Sequence, residues 1–124
     1  MSEKLYDLGF VEEMSGGNQE FTRQLMILFI ETVPESLDNI NKYFQSNEQE
    51  KLVSELHKLK STINTVKVPS FSQKVEEFEK LCKKGGSADS MKEYVLEFND
   101  VLPTVVDQMR TDLEEVEKGN NGSL

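Results

Sequence analysis

The chain of 124 residues has one cysteine, one histidine, three prolines and few basic residues, with 14 Lys+Arg against 23 Asp+Glu. Each scarcity excludes something. A single cysteine, Cys82, cannot form an internal disulfide, which fits a reducing compartment and an expected cytoplasmic location. One histidine with one cysteine cannot build a Cys/His zinc site within one chain. A di-iron bundle needs two Glu-x-x-His motifs. Ser54 stands three residues before His57, so the chain has none. No Walker A loop, G-x-G-x-x-G fingerprint or G-x-S-x-G elbow occurs. A net charge of −9 disfavours nucleic acid, whose phosphates need a basic surface, and anionic membranes. No run reaches the roughly 20 apolar residues of a membrane span, and "MSEKLYDLGF" lacks the pattern of a signal peptide.

What remains reads as helix, with no strand-like alternation. The length suits one domain over 1–124, with a core over about 5–116 and a frayed tail over 117–124. A short helix is expected over about Leu5–Met14, ended by Gly16 and Gly17. Asn18 caps the next, where Phe21, Leu25, Leu28 and Phe29 recur at helical spacing. Pro34 predicts a kink or a short break before Leu37, Ile40, Tyr43 and Phe44. Asn47 with Glu50 resembles a capping box opening the helix that holds His57, and Pro69 closes it. Ser70 with Gln73 opens a helix carrying Phe71, Val75, Phe78 and Leu81, which stops at Gly85-Gly86. Ser87 caps a last long helix, bent at Pro103. Short connections between amphipathic helices imply an all-α, antiparallel four-helix bundle with an additional short N-terminal helix.

The lone histidine lies in "SELHKLKSTIN". At ~100° per residue, Leu52, Leu56, Leu59, Ile63 and Val66 form a stripe centred roughly 140° from His57. That stripe must face the core, so His57 points to solvent. Lys60 stands at i+3 and Ser61 at i+4, with Val53, Ser54 and Asn64 on the same side. From Lys51 to Lys67 four lysines against one glutamate give +3, in a chain otherwise at −12. Neutral imidazole is a nucleophile near pH 7. A phosphoryl group on it would bring negative charge that Lys60 can stabilise. The partner-facing surface then comprises Val53, Ser54, Lys58, Ser61, Asn64 and Lys67. The bland alternative is an ordinary exposed histidine on a solvated helix.

His57-Lys58-Leu59-Lys60 resembles the His-x-Leu-Lys core of histidine-containing phosphotransfer (HPt) domains. "GGNQEFTRQLMILFIETVPESLDNI" looks like that family's preceding helix, with Phe29 and Pro34 at its Phe-x-x-x-x-Pro spacing, and "VEEFEKLCKKG" like the following one. The resemblance covers about residues 5–116. Ser61 stands where the family usually has glycine, and Lys67 where a second glycine is usual. The resemblance implies phosphoryl transfer from a receiver-domain aspartate to His57 and onward to another. It also implies response-regulator receivers or a hybrid sensor histidine kinase as partners. Magnesium would come from the receiver, with no cofactor or kinase activity in the chain itself, which is expected to be monomeric and free-standing. The alternatives are an adaptor that binds receivers without carrying phosphate, an enzyme pairing Cys82 with His57, and a helical scaffold.

Overall fold

The computed structural model describes residues 6, 9, 12, 13, 16–66, 68 and 71–122, without the side chains of 119–122. The described residues form four α-helices and no strand: α1 (Gln19–Gln45), α2 (Gln49–Asn64), α3 (Phe71–Lys83) and α4 (Ala88–Gly122). The short helix expected over Leu5–Met14 falls mostly outside the described residues, as do Lys67, Pro69 and Ser70. The carbonyls of Glu13 and Glu12 do accept from the N–H groups of Gly16 and Gly17, both at positive φ.

Local chemistry places the helix ends. The Asn18 side chain accepts from the Phe21 N–H at 3.1 Å and caps α1. Ser87 Oγ accepts from the Ser90 N–H at 3.2 Å and opens α4. Gly85, at φ 69, ends α3: its N–H bonds the Cys82 carbonyl and the Gly86 N–H reaches back to Leu81.

Asn47 departs from expectation. It does not cap α2; it terminates α1, at φ 57, with its N–H on the Phe44 carbonyl and the Glu48 N–H on Tyr43. Asparagine tolerates this left-handed conformation better than most side chains. Glu48 becomes the N-cap of α2 and makes no side-chain cap bond.

α1 runs unbroken through Pro34, and α4 through Pro103. In α1, Val33, Ser36 and Leu37 around the proline are buried, and their packing offsets the one lost backbone hydrogen bond. The face that α1 buries includes Phe29, Leu37 and Ile40 of the expected apolar positions but not Phe21 and Leu28. Thr22, Met26, Phe29, Val33, Ser36, Leu37 and Ile40 point inward, while Phe21 and Leu28 are 45% and 55% exposed. On α2 the expected stripe holds: Leu52, Leu56, Leu59, Ile63 and Val66 are all buried. Phe71, Phe78 and Cys82 of α3 are buried, whereas Leu81 is only partly so. Phe78 packs on Phe98 and stacks on Tyr94 of α4, with ring centroids 5.5 and 5.2 Å apart. α1 packs against both α2 and α4, α2 also against α3, and the α3–α4 contact is the thinnest. α2 and α3 therefore lie together at one side of the bundle, and the histidine sits there.

Candidate functional site

Burial of Leu56 and Leu59 on either side of it turns His57 outward, and its side chain is 73% exposed. It faces α3. Nδ1 lies 3.5 Å from Oε2 of Glu79, a carboxylate only 7% exposed. The same Oε2 lies 3.3 Å from Nζ of Lys83, one turn further along α3. Lys60 leans the same way, its Nζ 3.8 Å from Glu76, which also holds Lys80 at 3.4 Å. Two lines of paired side chains thus run from α2 across α3: His57–Glu79–Lys83 and Lys60–Glu76–Lys80, the second alternating in charge.

The structure brings together most of the residues expected at the site. Ser54, Lys58, Ser61 and Asn64 are exposed on the His57 side of α2, and Val53 is half-buried. Asn64 also accepts from Ser72 Oγ at 2.6 Å, tying the end of α2 to the start of α3. Lys67 lies outside the described residues. Val53 lines an open pocket of about 520 Å³ with Gln49, Glu50, Cys82 and Lys83, one turn from the imidazole.

Charge along the chain proved a poor guide to charge in space. The +3 segment meets Glu76 and Glu79 of α3, so Lys60 is ion-paired and not free. Glu76 is half-exposed and engaged by both Lys60 and Lys80. Glu55, two residues before His57, is buried on the other side, where Asn39 of α1 donates to it at 3.3 Å. Glu79 was missed. The only signal for it was its place one residue after Phe78, at the edge of a buried stripe.

Cys82 takes no part. It is fully buried, and burial, with Glu79 nearby, pushes its thiol up to about 11, leaving almost no thiolate near neutrality. Among the described residues no group of three or more His, Cys, Asp and Glu is arranged to hold a metal ion. No described helix is long and apolar enough to cross a membrane. The grooves elsewhere, such as the one of about 290 Å³ between Pro34 and Pro103, do not include His57. His57 itself lines none of the pockets named here, and its imidazole is open to solvent on the face shared by α2 and α3.

The family model of the Hpt domain matches residues 24–119. Among solved structures, the HPT domain from the Hpt sensor hybrid histidine kinase from Shewanella superposes with a TM-score of 0.79. It is 18% identical, over 90% of this chain and 96% of that one, a likeness of fold. No curated protein matches.

Proposed function

The chain belongs to the Hpt domain family, and from that premise we propose that His57 is the phosphoryl carrier of a multistep two-component phosphorelay. Membership makes it a phosphotransfer module of two-component signalling. The finer reading is that a receiver domain carrying phospho-aspartate docks over α2 and α3. The His57 Nε2 lone pair attacks phosphorus in line, the P–O bond breaks, and the electron pair leaves with the aspartate carboxylate. A second receiver takes the group by the reverse step.

The observation that carries this is the 73% exposed imidazole fixed on a rigid helix above a fully buried stripe. A nucleophile for a docked protein needs access and a firm anchor, which the exposed side chain and the packed helix beneath it supply. Lys60 is the nearest expected source of positive charge on α2; to serve the phosphoryl group it must turn from Glu76. Val53, Ser54, Lys58, Ser61, Asn64 and Lys67 form the surface that the receiver meets, and magnesium arrives with the receiver. The bundle is read as antiparallel. His57–Glu79, Lys60–Glu76 and Asn64–Ser72 run in opposite senses along α2 and α3, and Asn41–Asn99 pins α1 to α4. The module works as a cytoplasmic monomer without kinase activity.

The test is incubation with receiver domains of the native organism, phosphorylated in the presence of Mg²⁺. The label should transfer to this chain, resist alkali and be lost in acid, as a phosphoramidate behaves. Failure of every receiver to label it would leave a receiver-binding adaptor as the better reading.

A further inference from the structure

We infer that the phosphoryl group on His57 is held on the flank of α2 that faces away from α3, by the ammonium of Lys58 and the hydroxyls of Ser54 and Ser61. This rests on His57 being the carrier. Residues 54, 57, 58 and 61 stand at i, i+3, i+4 and i+7. Ser54 and Ser61 therefore each neighbour both His57 and Lys58 on the helix surface, with β-carbons roughly 5–6 Å apart. At ~100° per residue, Ser61, Ser54 and Lys58 lie roughly 40°, 60° and 100° round α2 on one side of His57, and Lys60 roughly 60° round on the other. The Lys60 side meets α3. The Lys58 side turns toward α1, where Lys51 sits over the Tyr43 ring and Asn39 donates to Glu55.

The two flanks differ in what is already taken. On the α3 side, Glu79 faces Nδ1 and holds Lys83, while Glu76 holds both Lys60 and Lys80. Two carboxylates there repel an incoming phosphoryl group, and the lysines beside them are engaged. On the other side the polar groups are free. Ser54, Lys58 and Ser61 are exposed, and among the described residues none of their side chains makes a hydrogen bond or an ion pair. Other helix hydroxyls behave differently: those of Thr62, Thr104 and Thr111 each turn back to the carbonyl four residues before, at 3.2–3.4 Å. Glu55, three residues before Lys58, is buried and turned to Asn39, and forms no ion pair with the ammonium.

The free groups have the chemistry that the phosphoryl group needs. Each hydroxyl and the ammonium can donate, and ionised phosphoryl oxygens accept. Hydrogen bonds to a charged oxygen are the strong kind. Helical side chains lean toward the N-terminus of their helix, which carries Lys58 and Ser61 over the turn that holds His57. Glycine, usual in the family at the position of Ser61, has no such donor. Ser54, Lys58 and Ser61 are thus phosphoryl-binding residues particular to this chain, on the side of the imidazole where no carboxylate competes for them.

Phosphoramidate tests this without a protein donor. The imidazole nitrogen bonds phosphorus, the P–N bond of the reagent breaks, and its nitrogen leaves as ammonia. Labelling of the full chain should be slower by about three- to tenfold in Lys58→Gln and in the Ser54→Ala, Ser61→Ala double variant, as for loss of one hydrogen bond. The replaced side chains are exposed, and Gln and Ala favour helix, so the bundle is kept. Lys60→Gln should lose less than Lys58→Gln. Lys92→Gln makes the same charge change on α4, which does not touch α2, and should label at the wild-type rate. The second readout is direct: in ¹⁵N spectra of the lysine ammonium groups, phosphorylation of His57 should move the Lys58 resonance more than that of Lys60. A wild-type rate in Lys58→Gln, or a shift at Lys60 with none at Lys58, would overturn the assignment of Lys58. A wild-type rate in the double variant would overturn that of the hydroxyls. Equal slowing in Lys92→Gln would reduce the effect to net charge and remove the site. If phosphoramidate labels His57 and no phosphorylated receiver does, the relay reading fails, while the rates above still decide where the phosphoryl group is held.

Discussion

At the residue scale, His57 admits a clean test because nothing else in the chain can replace it. His57→Gln should abolish labelling by a phosphorylated receiver while far-ultraviolet circular dichroism and the unfolding midpoint stay within error. The change swaps one exposed polar side chain for another that favours helix, and such changes usually cost less than about 0.5 kcal/mol. Labelling of the variant would place the carrier elsewhere. Lys60 carries a different expectation now that Glu76 is seen beside it. Lys60→Ala should slow phosphoryl transfer severalfold with little loss of stability, since a surface ion pair contributes about 0–1 kcal/mol. Unchanged kinetics would show that the ammonium never leaves Glu76. Exposure of His57 and the neighbourhood of Lys60 were readable from spacing on one helix. Glu79 was not, because no pattern along α2 reports which carboxylate a neighbouring helix brings to the imidazole.

At the scale of the element, the helix boundaries show where local rules suffice. Asn18, Ser87 and Gly85 act as their residue types predict, since each satisfies backbone groups within a few positions. Asn47 sits between two helices and could serve either; the left-handed turn that ends α1 claimed it. Asn47→Ala should therefore destabilise the protein by up to about 1 kcal/mol, because alanine lacks the short amide side chain that lets asparagine occupy positive φ more readily than other residues with a β-carbon, measurable by denaturant unfolding. A neutral result would mean that the turn relaxes around alanine. The buried face of α1 departs from the expected pattern at Phe21 and Leu28 for a different reason. Phe21, Leu25 and Leu28 form one apolar stripe and Met26, Phe29, Val33 and Ile40 another, and period alone does not rank two stripes. Contact with both α2 and α4 selected the second. On α2, Ser61 lies exposed one turn beyond His57. Ser61→Trp should weaken receiver binding by at least tenfold, about 1.4 kcal/mol, by bulk in the docking surface. Titration that returns the wild-type affinity would move the interface off this face.

At the scale of the molecule, burial joins distant parts of the chain and leaves a mark on the pH profile. Tyr6, 3% exposed, donates to Asp112 of α4, 106 positions away. Burial first, then the hydrogen bond and charge of Asp112, push its phenol far above the ordinary tyrosine range. Burial also raises Tyr94 and takes Cys82 to about 11 from an ordinary 9.0. In each case the folded protein keeps a proton that the unfolded chain gives up. Stability is then full below the unfolded values and falls as pH rises through about 9 and 10. Urea unfolding should show this decline between about pH 8 and pH 11, and Tyr6→Phe should flatten its upper part. A wild-type profile that stays level over that range would contradict the burial of these groups. By itself the sequence determined that the fold is helical, that Leu52, Leu56, Leu59 and Ile63 turn inward, and that His57 turns outward. Those depend on periodicity and on chemistry within a few residues. Only the tertiary structure decided which face α1 buries, that α1 continues without a break through Pro34, and that Glu76 and Glu79 lie against Lys60 and His57. These depend on which helices meet and at what register. That is settled by the sum of many small packing contacts across the whole core, which no single stretch of sequence contains.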